Sequence, residues 1–317
     1  MKLRSASLLD LPQIEQLYRD SGAPPSAQPA PARLWSVISQ TLTAFLPLSY
    51  ESLLYVAENE GRVAGFVQAA GQVPALTLPP RVTALQLLNL CVRPDVDLQT
   101  AASQLLEHLI VRAGQRGVNR LFVRLPLEDP RLPIFQDLGF RWIATEVVLW
   151  ATLPARLEEI ESAAGNDGAH WRAFRRADER SLYELYRRVT PAEVVGMEAP
   201  TYREWKELRS IPGQQEVLEQ GQLAAWLRFH QGSGARPHTI SLLALPDDAE
   251  LAQQVVDRAV RRCDGSAAWA SLRHYDELLL KAMQRRGFAT LLTQGLLVLD
   301  LAVRQPVREA GLVPSFG

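Results

Sequence analysis

The chain of 317 residues is long enough for two domains at roughly 100–200 residues each. Lys and Arg total 34 and Asp and Glu 35, a formal net charge of −1 that excludes the strongly basic balance of a general nucleic-acid coat protein. Two cysteines, Cys91 and Cys263, make neither a disulfide framework nor a four-cysteine zinc site, and they suggest a reducing compartment.

The start, Met1-Lys2-Leu3-Arg4-Ser5-Ala6, lacks the apolar stretch of a signal peptide, and no apolar run approaches the ~18 residues of a membrane span. The expectation is a cytoplasmic protein with no membrane or nucleic-acid partner. Five histidines without close His/Cys pairs predict no metal site.

In chain order, a short strand from Leu3 leads into a helix through Leu17-Tyr18-Arg19, with Asp10 placed to cap it. Residues 22–32, with Pro24, Pro25, Pro29 and Pro31, read as a loop. A hairpin over 53–67 turns at Asn59-Glu60-Gly61. A strand over 87–92, Pro94, a helix near 101–113, a strand over 120–124, a helix ending in Leu138-Gly139-Phe140 and a strand over 146–150 complete the first half. Residues 155–169 relax into a linker at Gly165-Asn166-Asp167-Gly168.

The same order then repeats. A strand at Trp171 leads into a helix capped by Asp178 and carrying Leu185-Tyr186-Arg187, the counterpart of Leu17-Tyr18-Arg19. A hairpin over 215–227, a strand over 240–245 followed by Pro246, a helix near 250–262 and a strand over 267–272 follow. A helix ending in Arg286-Gly287-Phe288 and a strand over 295–301 close the second half. The predicted organisation is an α/β chain with units 1–153 and 171–304, a linker 154–170 and a tail 305–317.

This doubled order resembles the GNAT superfamily of acetyl-CoA-dependent N-acetyltransferases, carried by Val92-Arg93-Pro94-Asp95, the helix with Leu105-Leu106-Glu107-His108, and the Leu138-Gly139-Phe140 turn. The resemblance implies two tandem domains, each a mixed, mostly antiparallel sheet flanked by helices. It implies that the fourth and fifth strands of a domain splay apart and that the pantetheine arm of acetyl-CoA pairs with the fourth. It also implies a pyrophosphate on the amides at the start of the next helix, where unpaired N–H groups and the helix dipole favour an anion. The implied cofactor-binding residues are Leu90, Cys91 and Val92 on the strand and Thr100, Ala101 and Ala102 on the helix.

The sequence departs from the family's Gln/Arg-x-x-Gly-x-Gly/Ala pattern. Asp97 stands at its first position and Thr100 at its first glycine, and only Ala102 fits. A carboxylate beside a pyrophosphate repels it by roughly 1 kcal/mol or more. The second half places Asp247, Asp248 and Glu250 there, without a glycine. Phe135 and Met283 stand where the family often has a proton-donating tyrosine, and neither can donate.

The candidate catalytic residues are His274 and Tyr275, which follow the second half's fifth strand beside Asp276 and form a His/Tyr/Asp cluster, and Glu58, a carboxylate in the first half's hairpin. The plainer readings are a loop with a capping Asp276 and a polar strand end. His230 and His238 flank a Gly-rich turn and read as turn histidines; Cys91 and Cys263 lack a neighbouring His and read as buried thiols. Two functions stay open: transfer of an acetyl group from acetyl-CoA to a small-molecule or peptide amine, and a catalytically degenerate binding or regulatory module.

Overall fold

The computed structural model describes residues 1–20, 50–72, 82–153, 170–209, 213–232, 237–263 and 265–301. The loop 22–32, most of the linker and the tail lie outside the described residues. The first half runs β1 (Lys2–Ser5), α1 (Leu11–Asp20), β2 (Tyr50–Asn59), β3 (Arg62–Gln72), β4 (Ala84–Val92), α2 (Leu98–Gln115), β5 (Arg120–Pro126), α3 (Leu132–Asp137) and β6 (Arg141–Thr152). The second runs β7 (His170–Ala173), α4 (Glu179–Val189), α5 (Ala192–Glu198), α6 (Tyr202–Arg209), β8 (Gln214–Gln220), β9 (Gln222–His230), β10 (His238–Ala244), α7 (Ala249–Val260), β11 (Ala267–Arg273), α8 (Glu277–Arg285) and β12 (Ala289–Asp300).

Local chemistry explains most boundaries. Glu60 and Gly61 take φ of 51° and 76°, so the β2–β3 hairpin closes with the left-handed pair that matches strand twist. In α2, Ala101, Ala102, Leu105, Leu106, Leu109 and Ala113 recur at helical spacing and are fully buried. Asp10 and Asp178 do not cap the helices as their position predicts. A 3₁₀ turn precedes each helix, and each carboxylate reaches back instead to an amide three residues earlier, Ser7 N at 2.7 Å and Arg175 N at 2.7 Å. Each also takes a bidentate arginine from the first strand of its half, Arg4 to Asp10 and Arg172 to Asp178, at 2.7 and 2.8 Å in both cases.

The two halves share one sheet. Its order is β1-β2-β3-β4-β5-β12-β6-β11-β10-β9-β8-β7. The order is symmetric about the β12–β6 pair, with each strand of the first half matched by its counterpart in the second. The last strand of each half therefore crosses over: β12 pairs antiparallel with β5, and β6 pairs antiparallel with β11. Most pairings are antiparallel, and the parallel ones are β4 with β5 and β10 with β11.

Burial follows the crossover. Leu297 of β12 is fully buried in the first half's core with Leu121, Val123, Phe135 and Phe140. Leu149 and Ala151 of β6 lie in the second half's core with Leu242, Val256 and Leu279. On the opposite face, Met197 and Leu208 from α5 and α6 pack on Phe122, Ile143, Leu296 and Val298. Arg120 ties the same contact with bonds to Glu204 at 3.1 Å and Asp300 at 3.0 Å. Neither half completes its core from its own strands.

Leu297→Ala is expected to cost about 3 kcal/mol, the range for a fully buried leucine. The loss is expected in one transition for both halves, seen by denaturant unfolding with a probe in each. Separate midpoints for the two probes would contradict the shared sheet.

Candidate functional site

In both halves the fourth and fifth strands pair briefly and then part. β4 meets β5 over four residues, ending at Leu87 opposite Val123, and then runs on to Val92. β10 meets β11 over three, ending at Ile240 opposite Ala270. Alternate residues of an antiparallel strand bond to one neighbour and then face away. Arg93 N donates to Ala64 O at 2.8 Å, and Leu245 N to Ala224 O at 3.0 Å. The alternation then turns the amides and carbonyls of Leu90 and Val92, and of Leu242 and Ala244, toward the two openings.

The openings differ. In the first, the Arg131 guanidinium donates from Nη1 to Leu90 O at 2.5 Å. Asp129 clamps the same guanidinium from Nε at 2.8 Å and Nη2 at 2.5 Å, and its side chain is buried. Burial works against the Arg131 charge, but the Asp129 hydrogen bonds outweigh it and hold the group protonated. In the second, Leu278 and Leu279 stand at the corresponding place in the first turn of α8, packed against the second half's core.

The helix starts of both halves carry carboxylates of their own. Asp97 caps α2 by accepting from Thr100 N at 2.8 Å, which also holds its carboxyl below the usual range. Ala101 and Ala102 are fully buried. Asp248 caps α7 by accepting from Leu251 N at 2.8 Å, with Asp247 and Glu250 exposed beside it. Both helix starts thus carry their own anion and do not fit a pyrophosphate. The second strand edge fits an extended arm; the first does not.

Between the openings lies a charged row that the sequence reading missed. Gln294, Glu146 and Arg273 stand opposite one another on β12, β6 and β11. Glu146 accepts from Arg124 Nε at 2.8 Å and Gln294 Nε2 at 2.8 Å, with Arg273 Nη1 at 3.4 Å. Arg273 also donates to Glu198 at 2.6 Å, and the Tyr186 hydroxyl reaches Glu198 at 3.1 Å. Burial alone would raise the Glu146 carboxyl, but the pull of Arg124 and Arg273 wins and holds it at about 2. Among the described residues, the buried side-chain atoms without a hydrogen-bond partner are Ser271 Oγ, Arg273 Nη1 and Gln294 Oε1, all on these neighbouring strands. The available signal was a glutamate amid the apolar run Trp142 to Trp150.

His274 and Tyr275 come together just past β11, with ring centroids 5.5 Å apart. His274 is exposed and donates its backbone N–H to Thr145 O at 2.9 Å. Burial pushes the Tyr275 hydroxyl up to about 12 and the neighbouring Asp276 carboxyl up to about 6. Glu58 is not brought to them. β2 lies six strand spacings from β11, about 29 Å across the sheet. Its carboxylate accepts from Arg4 Nε at 2.7 Å, a pairing that Glu219 and Arg172 repeat in the second half. Cys91 and Cys263 are buried, and burial pushes the Cys263 thiol up to about 12. His238 is buried and accepts from Gly232 N at 2.9 Å, while His230 is exposed. Among the described residues no cluster of His, Cys, Asp or Glu is placed to hold a metal, and no helix is long and apolar enough to cross a membrane.

Comparison with known proteins agrees with this architecture. The acetyltransferase (GNAT) family model matches residues 13–140. A tandem GNAT protein from the clavulanic acid biosynthesis pathway superposes with a TM-score of 0.58 at 13% identity, covering 96% of this chain and 99% of that one. A GCN5-related N-acetyltransferase from Sphaerobacter thermophilus gives 0.56 at 16% identity, covering 94% and 95%. The glucosamine N-acetyltransferase region of a fungal multi-domain GH3 β-N-acetylglucosaminidase gives 0.60 at 14% identity, covering 94% of this chain and 38% of that one. No curated protein matches in sequence. The chain has the tandem fold of these GNAT structures, with the family model falling in its first half.

Glu146→Gln is expected to destabilise the protein by about 3 kcal/mol, because it takes the carboxylate from Arg124 and leaves Arg273 with Glu198 as its counter-charge. The contribution of a depressed carboxyl is present above its unfolded pKa near 4.5 and lost as pH falls through about 2. The variant is therefore expected to lose part of the acid-unfolding slope below pH 4.5 in a pH–stability titration.

Proposed function

We propose that the chain moves an acetyl group from acetyl-CoA to an amine in its C-terminal half. The observation that carries this reading is the open strand edge at Leu242 and Ala244, against the closed edge at Leu90. Acetyl-CoA would supply the acetyl group as an activated thioester. The backbone of Leu242 and Ala244 would hold its arm and orient the carbonyl. Asp276, with its carboxyl near 6, is matched to take a proton from an incoming amine around neutral pH. Tyr275 keeps its proton there and can donate it to the CoA thiolate that leaves as the C–S bond breaks. His274, exposed at the same mouth, offers a polar rim to the acceptor.

A second reading, a binding or regulatory module without turnover, is favoured by one observation. Asp97 and Asp248 already occupy the helix amides of both halves. One assay separates the two. Under the enzyme reading, saturating acetyl-CoA stabilises the native chain by about 2.7 kcal/mol at 100 times Kd. Amines are acetylated with a kcat/KM that falls below about pH 6. Asp276→Asn is expected to cut that rate about 10²–10⁴-fold and remove the acidic limb. No thermal shift and no acetylated amine at millimolar acetyl-CoA would leave the binding module.

A further inference from the structure

We infer that the N-terminal splay is shut by the chain's own Arg131, which occupies the strand edge an extended thioester arm would need. The inference rests on the reading that such an arm binds this fold by pairing with the fourth strand.

Three features make the closure specific. First, the bond to Leu90 O comes from a cationic donor at 2.5 Å, and charge-assisted hydrogen bonds are roughly twice as strong as neutral ones. A ligand amide competing for that carbonyl offers only a neutral donor. Second, the guanidinium cannot simply swing away. Nε and Nη2 are held by both Asp129 oxygens, and Asp129 Oδ1 also accepts the Arg131 backbone N–H at 2.9 Å. Leaving would strand the Asp129 carboxylate, which is nearly inaccessible to water. Third, the counterpart half lacks the device. Leu278 and Leu279 stand there, apolar and packed in the core.

The closed half still has work in the fold. Its β5 receives β12, so it supplies the partner strand on which the second half's last element is built. Closure of the first splay and completion of the second half are thus assigned to one unit.

The test compares two full-length chains. The parent carries Asp97→Gly, which frees the Thr100 amide. The second adds Asp129→Asn and Arg131→Met, which remove both charges of the buried pair together and keep the arginine stem's packing. Acetyl-CoA sites are counted by calorimetry, and iodoacetamide alkylation of Cys91 and Cys263 is followed by peptide mass spectrometry. The parent is expected to bind at no more than one site, with Cys91 alkylation unaffected by acetyl-CoA. The second chain is expected to gain one site, to alkylate Cys91 at least tenfold faster than the parent, and to be slowed at Cys91 by acetyl-CoA. Cys263 should stay slow in both, which reports an intact fold. Two sites in the parent, acetyl-CoA protection of Cys91 in the parent, or no gained site in a second chain with slow Cys263 would each overturn the inference. If the second chain reacts rapidly at Cys263, the parent decides through its site count and Cys91 protection. A parent with no site sinks the proposed function, while the gain in the second chain still upholds the closure.

Discussion

Glu146 sits where the two halves of the sheet cross. It is a carboxylate nearly devoid of solvent contact, held by an arginine from β5 on one side and an arginine from β11 on the other. Taking such a charge out of water is costly, and only well-placed opposite charges and hydrogen bonds offset it. Those partners come from strands more than a hundred residues apart, so the carboxylate can stay ionised while buried only when the crossover of β6 and β12 is complete. The row Gln294–Glu146–Arg273 therefore fixes the register in which the strands meet. A one-residue slip would put the carboxylate among the apolar residues of the opposite face.

The shared sheet explains how two similar halves come to differ. The repeat supplies the same scaffold twice, down to the Arg4–Asp10 and Arg172–Asp178 clamps at its two outer edges. Function is decided by residues at the openings rather than by the scaffold. In the first half, an arginine two residues beyond a buried aspartate fills the gap. In the second, leucines stand at that place, and burial moves the carboxyl of Asp276, just past β11, toward neutrality. Ser271 Oγ and Arg273 Nη1, which make no hydrogen bond, lie on the strand that borders this second opening.

Most of the fold was legible because its signals are local. Apolar runs of strand length, the Glu60-Gly61 and Gln220-Gly221 turns, and the Gly-Phe endings set the element order twice over. The boundaries fell short where strands continue past their apolar centre: β6 begins at Arg141 and not at Glu146, since Arg141 and Trp142 are paired across to Val298 and Leu297. The crossover was not legible, because β6 and β12 are each compatible with either half and the choice is made by tertiary pairing. The same holds for the site. His274 and Tyr275 are neighbours in sequence and in space. Glu58 looked equally suitable by residue type, yet the sheet order carries it to the far side of the other half. Arg131 gave no sequence signal, since its meaning depends on a carbonyl 41 residues away.

The most direct measurement is amide hydrogen exchange mapped along the whole chain with and without saturating acetyl-CoA. Exchange is expected to slow in β10, around Leu242 and Ala244, and to stay unchanged around Leu90 and Val92 in β4. Protection in β4 with β10 unchanged would contradict this.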